Sequence, residues 1–205
     1  MARADCEAGR RVVAERVLVC TNGYSGPLIP KMARTVVAMN SFQVATAPLS
    51  DNVRATILPF GHVCSDTRKP LLYFRLDPDG RLIMGGRGRL SEPQPASDWA
   101  HLERVVGKVF PQVGGTPIAY RWGGRVALTR DFLHEPEPGL LVNIGCMGRG
   151  IGLQSLMGQA MARYVETGDR RTLPFPVVPI PMHAMRRLYV SAIIAWYRMN
   201  DGGMK

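Results

Sequence analysis

The chain has 205 residues, is 46% hydrophobic, and carries 26 Lys and Arg against 16 Asp and Glu, for a formal net charge of +10. That apolar content suffices for the core of one large or two small domains and excludes a disordered or collagen-like chain. The positive charge invites a nucleic-acid partner, but the arginines come as pairs (Arg10-Arg11, Arg170-Arg171, Arg186-Arg187) and singles, without zinc-finger spacing or an aromatic RNA-binding motif, so no nucleic acid is expected.

Cys6, Cys20, Cys64 and Cys146 are widely spaced, with no CxxC and no disulfide framework. Cys20 and Cys146 lie in apolar stretches and are expected as buried, reduced thiols. His62, His101, His134 and His183 show no HxxxH or HExxH pairing, so no metal is expected. Met1 to Asp5 lacks an apolar leader, and the run from Leu188 to Tyr197 is too short to span a bilayer. The expectation is a cytoplasmic, soluble protein.

In chain order, Val12-Val13 and Arg16 to Cys20 read as strand segments joined by a short turn, the second apolar enough to be buried on both faces. It stops at Thr21-Asn22-Gly23-Tyr24-Ser25-Gly26, a turn rich in residues that tolerate unusual dihedrals. Open α/β sheets place ligands at such strand ends; an ordinary strand-to-helix connection is the alternative. Val36 to Leu49 reads as a long strand, with Phe42, Val44 and Thr46 alternating against Gln43, Ala45 and Ala47. Leu71 to Leu76 and Arg81 to Gly86 flank Asp77-Pro78-Asp79-Gly80 and predict a hairpin.

Ser97 to Phe110 predicts a helix, with Ser97 or Asp98 as cap, Trp99, Leu102, Val105, Val106 and Val109 as apolar stripe, and Pro111 as terminator. Ile118 to Leu128 is a strand, and its central Trp122-Gly123-Gly124-Arg125 marks a bulge or the close approach of another group. A turn is expected at Asp131 to Pro136. Leu173 to Pro181 is extended, and a closing helix spans about His183 to Met199.

The stretch most suggestive of chemistry is Gly139 to Leu153. An apolar strand enters the glycine-rich turn Gly145-Cys146-Met147-Gly148-Arg149-Gly150-Ile151-Gly152. A helix follows to about Glu166, with Leu153, Leu156, Met157, Ala160, Met161 and Tyr164 on its apolar face. Glycines at a helix start let backbone N–H groups approach a polar oxygen or anion, aided by the helix dipole; tight packing is the alternative. Leu153 stands where GxGxxG would need glycine, and no Gly-Lys-Ser/Thr follows, so this is neither a dinucleotide fingerprint nor a P-loop.

Three segments in this order resemble the FAD-dependent D-amino-acid oxidase-like family, closest to its γ-glutamylputrescine-oxidase-like branch. They are Cys20-Thr21-Asn22-Gly23-Tyr24, the hairpin from Tyr73-Phe74-Arg75-Leu76 to Met84-Gly85-Gly86-Arg87, and Gly145 to Gly150. Trp122 to Arg125 through Asp131 is similar to the strand before the last of these. The resemblance implies an α+β or α/β fold: an antiparallel substrate-domain sheet with flanking helices, plus the remnant of an FAD-binding sheet. The N-terminal GxGxxG unit of such enzymes is not among these residues. Residues 1–26 would be the last strands of the FAD domain, 27–115 the substrate domain, 116–170 the return strand, glycine turn and helix of the FAD site, and 171–205 a proline-rich extension with a closing helix.

The implied cofactor is FAD, contacted by Thr21, Asn22, Gly23, Gly145, Cys146, Met147, Gly148, Arg149, Gly150 and Ile151. Arg125, Trp122 and Tyr73 are the candidates for contact with a small-molecule amine or amino acid; solvation of Arg125 and core packing of the two aromatics are the alternatives. No catalytic base is assigned. The implied function is the C-terminal part of an oxidoreductase acting on a C–N bond. A catalytically inactive truncated chain, or an interaction subunit for a separate N-terminal FAD-binding chain, is the alternative.

Overall fold

In the computed structural model, which describes residues 2–5, 9, 11–69, 71–88, 90, 96–130, 133–172 and 178–200, the chain divides into two compact units. One comprises 1–38 and 125–184, the other 39–124 and 185–205. Cys6, Asp131 and Phe132, and the first half of the expected 173–181 extension lie outside the described residues.

In chain order, β1 (Ala2–Asp5) pairs antiparallel with β2 (Arg11–Ala14), and β3 (Val17–Val19) follows. Next come α1 (Pro30–Ala33), β4 (Val37–Thr46), α2 (Asp51–Ile57) and β5 (Cys64–Ser65). The hairpin is β6 (Leu72–Leu76) and β7 (Leu82–Arg87). Then follow α3 (Ala100–Val109), β8 (Ile118–Leu128), β9 (Leu133–Glu137), β10 (Leu140–Asn143), α4 (Gly150–Thr167) and α5 (Arg186–Asn200).

The second unit is built on a sheet of order β5-β6-β7-β4-β8, to which β8 contributes its first part. The hairpin turn closes because Asp77 accepts the Arg81 amide at 2.8 Å and Gly80 adopts φ 77°. One face buries Phe42 and Val44 of β4 with Leu82 and Met84 of β7, against Leu102 and Val106 of α3. The period-two alternation read along Val36–Leu49 thus sets which face packs. The expected cap of α3 is corrected. Ser97 and Asp98 lie in a 3-10 turn, and Trp99 holds the cap position without a side-chain cap bond. Its ring instead stacks on Phe42 at 4.7 Å and its indole N–H donates to the Trp122 carbonyl at 3.0 Å.

Phe42 also explains a glycine pair. A Cβ on Gly123 would lie 2.9 Å from the Phe42 ring and 3.1 Å from the Ser41 carbonyl, and one on Gly88 would lie 2.7 Å from the same ring. The close approach expected at Trp122–Arg125 is therefore that of Phe42. On β7, Gly85 faces Tyr73 across the ladder, and the phenol ring lies where its Cβ would be.

In the first unit β10 is the central strand, parallel to β3 and antiparallel to β9. Leu141 packs on Met157, Met161 and Tyr164 of α4, whereas Leu140, Val142 and Ile144 pack with Met32 of α1 and with Val19, Ile29 and Val36. Helices on both faces account for the continuous apolar run of this strand. The same inference does not hold for β3. It is an edge strand, Leu18 is 49% exposed, and Cys20 is exposed rather than buried. Cys146 is buried as expected. Leu156, placed on the apolar face of α4, is exposed. Part of the turn expected at 131–136 is strand β9.

The far end of α4 is held by a carboxylate that sequence reading did not single out. Glu135 accepts from the Tyr164 hydroxyl at 2.6 Å, the Arg170 guanidinium at 2.8 Å and the Gly139 amide at 3.1 Å. Burial alone would raise its pKa, but the bonds from Tyr164 and Gly139 and the charges of Arg170 and Arg16 outweigh it, leaving the carboxyl below its ordinary 4.5. The hydrogen bond to Glu135, then burial, holds the Tyr164 phenol above its ordinary 10.0. A depressed carboxylate contributes stability that is complete above its unfolded-state pKa and is lost as pH falls through the folded one. Glu135→Gln should therefore lower the melting temperature at neutral pH and flatten the decline below about pH 4.5. Parallel acid limbs for both proteins in thermal melts would contradict this.

Candidate functional site

β3 and β10 run parallel and adjacent, so their carboxyl ends emerge side by side. Open α/β sheets bind ligands at that edge. The turn after β3 is a 3-10 turn over Asn22–Tyr24, with Asn22 at φ 47°. Asn tolerates this left-handed conformation better than most residues. From it, the Asn22 side-chain oxygen accepts the amides of Gly145 at 3.1 Å and Cys146 at 3.2 Å. One amide side chain thus fastens the turn after β3 to the turn after β10.

Gly23 fits because a Cβ there would lie 2.9 Å from that of Arg125. Tyr24 reaches back to accept the Arg125 amide at 3.0 Å, and the Arg125 guanidinium lies over the Tyr24 ring, 5.5 Å from its centroid. Thr21 and Ser25 hydroxyls bond each other at 2.8 Å.

The second turn winds tightly: Gly145, Met147 and Gly148 have φ of 91°, 51° and 78°. Met147 is held there because its amide donates to the Ala127 carbonyl at 3.1 Å and its sulfur accepts the Thr129 amide at 3.3 Å. The Arg149 amide donates to the Cys146 carbonyl at 2.7 Å. The amides of Gly145, Cys146, Met147 and Arg149 are thus committed within the chain. The first-turn amides of α4 are in a different state. A helix start leaves its leading N–H groups without helical acceptors, and Arg149 at the cap position supplies no side-chain acceptor. Gly150, Ile151 and Gly152 therefore present amides and a positive dipole end, beside an Ile151 side chain that is 93% exposed. A Cβ on Gly148 or Gly152 would meet nothing within 4 Å, so open space lies over this turn.

Of the sequence-predicted site residues, the first unit brings Thr21, Asn22, Gly23, Arg125 and the Gly145–Ile151 turn together. Tyr73 and Trp122 belong to the second unit. There the Tyr73 hydroxyl bonds Ser41, on a strand where Ser41 faces Arg87 across the ladder. Burial raises the Tyr73 pKa above 10.0, against the opposing effects of the Ser41 bond and the Arg87 charge, so the phenol keeps its proton at neutral pH. Trp122 is partly exposed and gives its carbonyl to Trp99. Ser41, Arg87 and Tyr24 were missed as site candidates; only the cross-strand register and a contact between residues 24 and 125 reveal them. Among the described residues, no His, Cys, Asp or Glu cluster suits a metal, and no helix is long and apolar enough to cross a membrane.

A family model described as FAD dependent oxidoreductase (DAO) matches residues 2–164. The probable oxidoreductase OrdL of Rhizobium meliloti (strain 1021) is 31% identical over 198 residues, covering 93% of this chain and 46% of that protein. The γ-glutamylputrescine oxidoreductase of Escherichia coli (strain K12) is 30% identical over 205 residues, covering 93% of this chain and 47% of that protein. The glycine oxidase structure from Bacillus cereus ATCC 14579 superposes with a TM-score of 0.64 at 19% identity, over 86% of this chain and 50% of that one. The chain spans about half the length of the curated relatives it matches.

Proposed function

Since the chain belongs to the FAD dependent oxidoreductase (DAO) family, we propose that it forms the C-terminal part of an enzyme that oxidises the C–N bond of an amine or amino acid. The observation that carries this reading is the joined pair of strand ends, β3 and β10, opening onto the uncapped start of α4.

These residues fit a flavin. Space stands open at Gly148 and Gly152, and no side-chain cap occupies the start of α4 beside them. When bound, FAD would supply the acceptor for the hydride from the carbon beside the amine nitrogen. The amides of Gly150, Ile151 and Gly152 and the dipole of α4 would stabilise negative charge developing next to them. Asn22 contributes by holding the turn in shape, since its oxygen already takes the Gly145 and Cys146 amides. Arg125 is kept over Tyr24 for contact with a carboxylate or with the cofactor. In the second unit, Tyr73 offers a protonated hydroxyl beside Ser41, and Trp122 an aromatic face for a cationic amine.

The reading is tested by adding FAD to the purified chain and following the absorbance band and fluorescence quenching. The decisive variant is Gly150→Val. A Cβ at Gly150 meets only the Cys146 side chain, at an ordinary 3.6 Å, so the fold should tolerate the substitution. The expected result is an unchanged melt with flavin affinity reduced at least about tenfold, a difference of about 1.4 kcal/mol. Flavin affinity equal to wild type would remove the turn from the site. Where the chain alone shows no saturable binding, the assay is repeated with a second chain carrying a GxGxxG βαβ unit. Failure there as well would refute the reading.

A further inference from the structure

The sheet of the second unit has two unlike faces. Phe42, Val44, Leu82 and Met84 turn to α3 and form the core. Their neighbours along the strands point the other way. In the ladder Ser41 lies opposite Arg87, Gln43 opposite Gly85, and Gly85 opposite Tyr73, so these residues share the second face. Ser41, Gln43, Tyr73 and Arg87 are each only partly buried, within reach of a solute. The Tyr73 ring occupies the place of a Cβ on Gly85, so it lies fixed across the neighbouring strand. Its phenol bonds the Ser41 hydroxyl and keeps its proton at neutral pH. With Ser41 donating, the phenolic proton is left for another acceptor.

A guanidinium carries five N–H donors. Arg54, Arg68, Arg81 and Arg121 of this unit are paired with Asp51, Asp66, Asp77 and Glu103. Arg87 differs. It donates to the Met39 sulfur at 2.9 Å, a weak acceptor, and no carboxylate among the described residues pairs with it. A half-buried cation facing a thioether gains little from its own chain. Its fork of donors beside a fixed phenol hydroxyl matches the two oxygens of a carboxylate.

We propose that Ser41, Tyr73 and Arg87 form a carboxylate site, with Arg87 holding both oxygens, Tyr73 donating a further hydrogen bond and Ser41 positioning the phenol. The substrate is then an amine that carries a carboxylate rather than a plain amine, a step that rests on the reading of the chain as part of an enzyme oxidising amines or amino acids. The test is an NMR titration of the full chain, without flavin, using β-alanine and propylamine, which match in length and amine but differ in the carboxylate. The Met39 methyl and the Arg87 side-chain N–H report on the site, and the methyl serves alone in Arg87 variants. Expected are saturable shifts with β-alanine and none with propylamine. Arg87→Gln should weaken β-alanine binding at least about tenfold, and Tyr73→Phe less. Arg104→Gln should leave it unchanged, since it removes an equal charge from an exposed position on α3, which packs on the opposite face. Thermal melts verify folding. Arg87→Lys replaces Arg87→Gln should that fail to fold, and it should also lose most of the affinity because an ammonium lacks the fork. Absence of shifts with β-alanine overturns the proposal. So do equal shifts with propylamine, and so does an equal loss in Arg104→Gln, which would leave net charge responsible. Inorganic phosphate moving both reporters as strongly as β-alanine would overturn the carboxylate assignment as well. Because no flavin is present, failure here leaves the Gly150→Val result standing, and failure of flavin binding leaves the carboxylate titration standing.

Discussion

Asn22→Ala should destabilise the first unit by about 2–3 kcal/mol, seen as a lower urea midpoint with an unchanged slope. Two effects add. The Gly145 and Cys146 amides lose their shared acceptor in a part-buried setting, and alanine is placed at φ 47°, a region it adopts with strain. The turn after β10 would loosen, and flavin affinity should fall with it. Asn22→Asp makes the complementary test. A carboxylate still accepts two amide bonds and tolerates the left-handed conformation, so this variant should keep most of the stability that alanine loses. Equal midpoint shifts for alanine and aspartate would contradict both the bridging role of the side-chain oxygen and the strain expected of alanine at this φ.

The second large effect is expected at Phe42. It is fully buried, stacked on Trp99, and approached by Gly88 and Gly123. Phe42→Ala should cost about 3–5 kcal/mol through lost burial and the cavity left behind. Gly123→Val attacks the same contact from the other side. Its branched side chain would meet both the ring and the Ser41 carbonyl, and overpacking of this kind costs about 1–3 kcal/mol. Because the two residues touch, their effects should not add. Phe42→Leu should partly rescue Gly123→Ala, and a double-mutant cycle measures the coupling. Strict additivity would show that ring and glycine do not constrain one another.

Much of this architecture was legible in the sequence where two local signals agreed. Alternation along β4, the Asp-Pro-Asp-Gly turn between β6 and β7, and the apolar run entering glycines before α4 each combined a period with punctuation. The four residues of α1 and seven of α2 are too short to display a helical period. β9 was hidden for another reason: Pro136 and its charged neighbours resemble a turn, and only pairing with β10 makes them a strand. Cys20 was misjudged because an apolar run reports hydrophobicity but not position in the sheet, and β3 lies at the edge.

The candidate site followed the same division. Its glycines and the Thr-Asn-Gly-Tyr turn stand out by residue type. That Asn22 takes the Gly145 and Cys146 amides, leaving the start of α4 as the available donor, depends on contacts across 123 and 124 residues that no spacing rule predicts. Glu135 carried no local signal at all, because its partner Tyr164 comes 29 residues later on another element.

The parallel pairing of β3 with β10 joins Val17 to Leu140. During synthesis at roughly 5–20 residues per second, β3 would leave the ribosome on the order of ten seconds before its partner. Residues 39–124, most of the second unit, emerge within that interval. The discontinuous unit must therefore be completed around an already translated insertion, with one strand waiting. Slow translation or a cool growth temperature would lengthen that wait, and a holdase that shields Leu18 and its neighbours should raise the yield of folded chain.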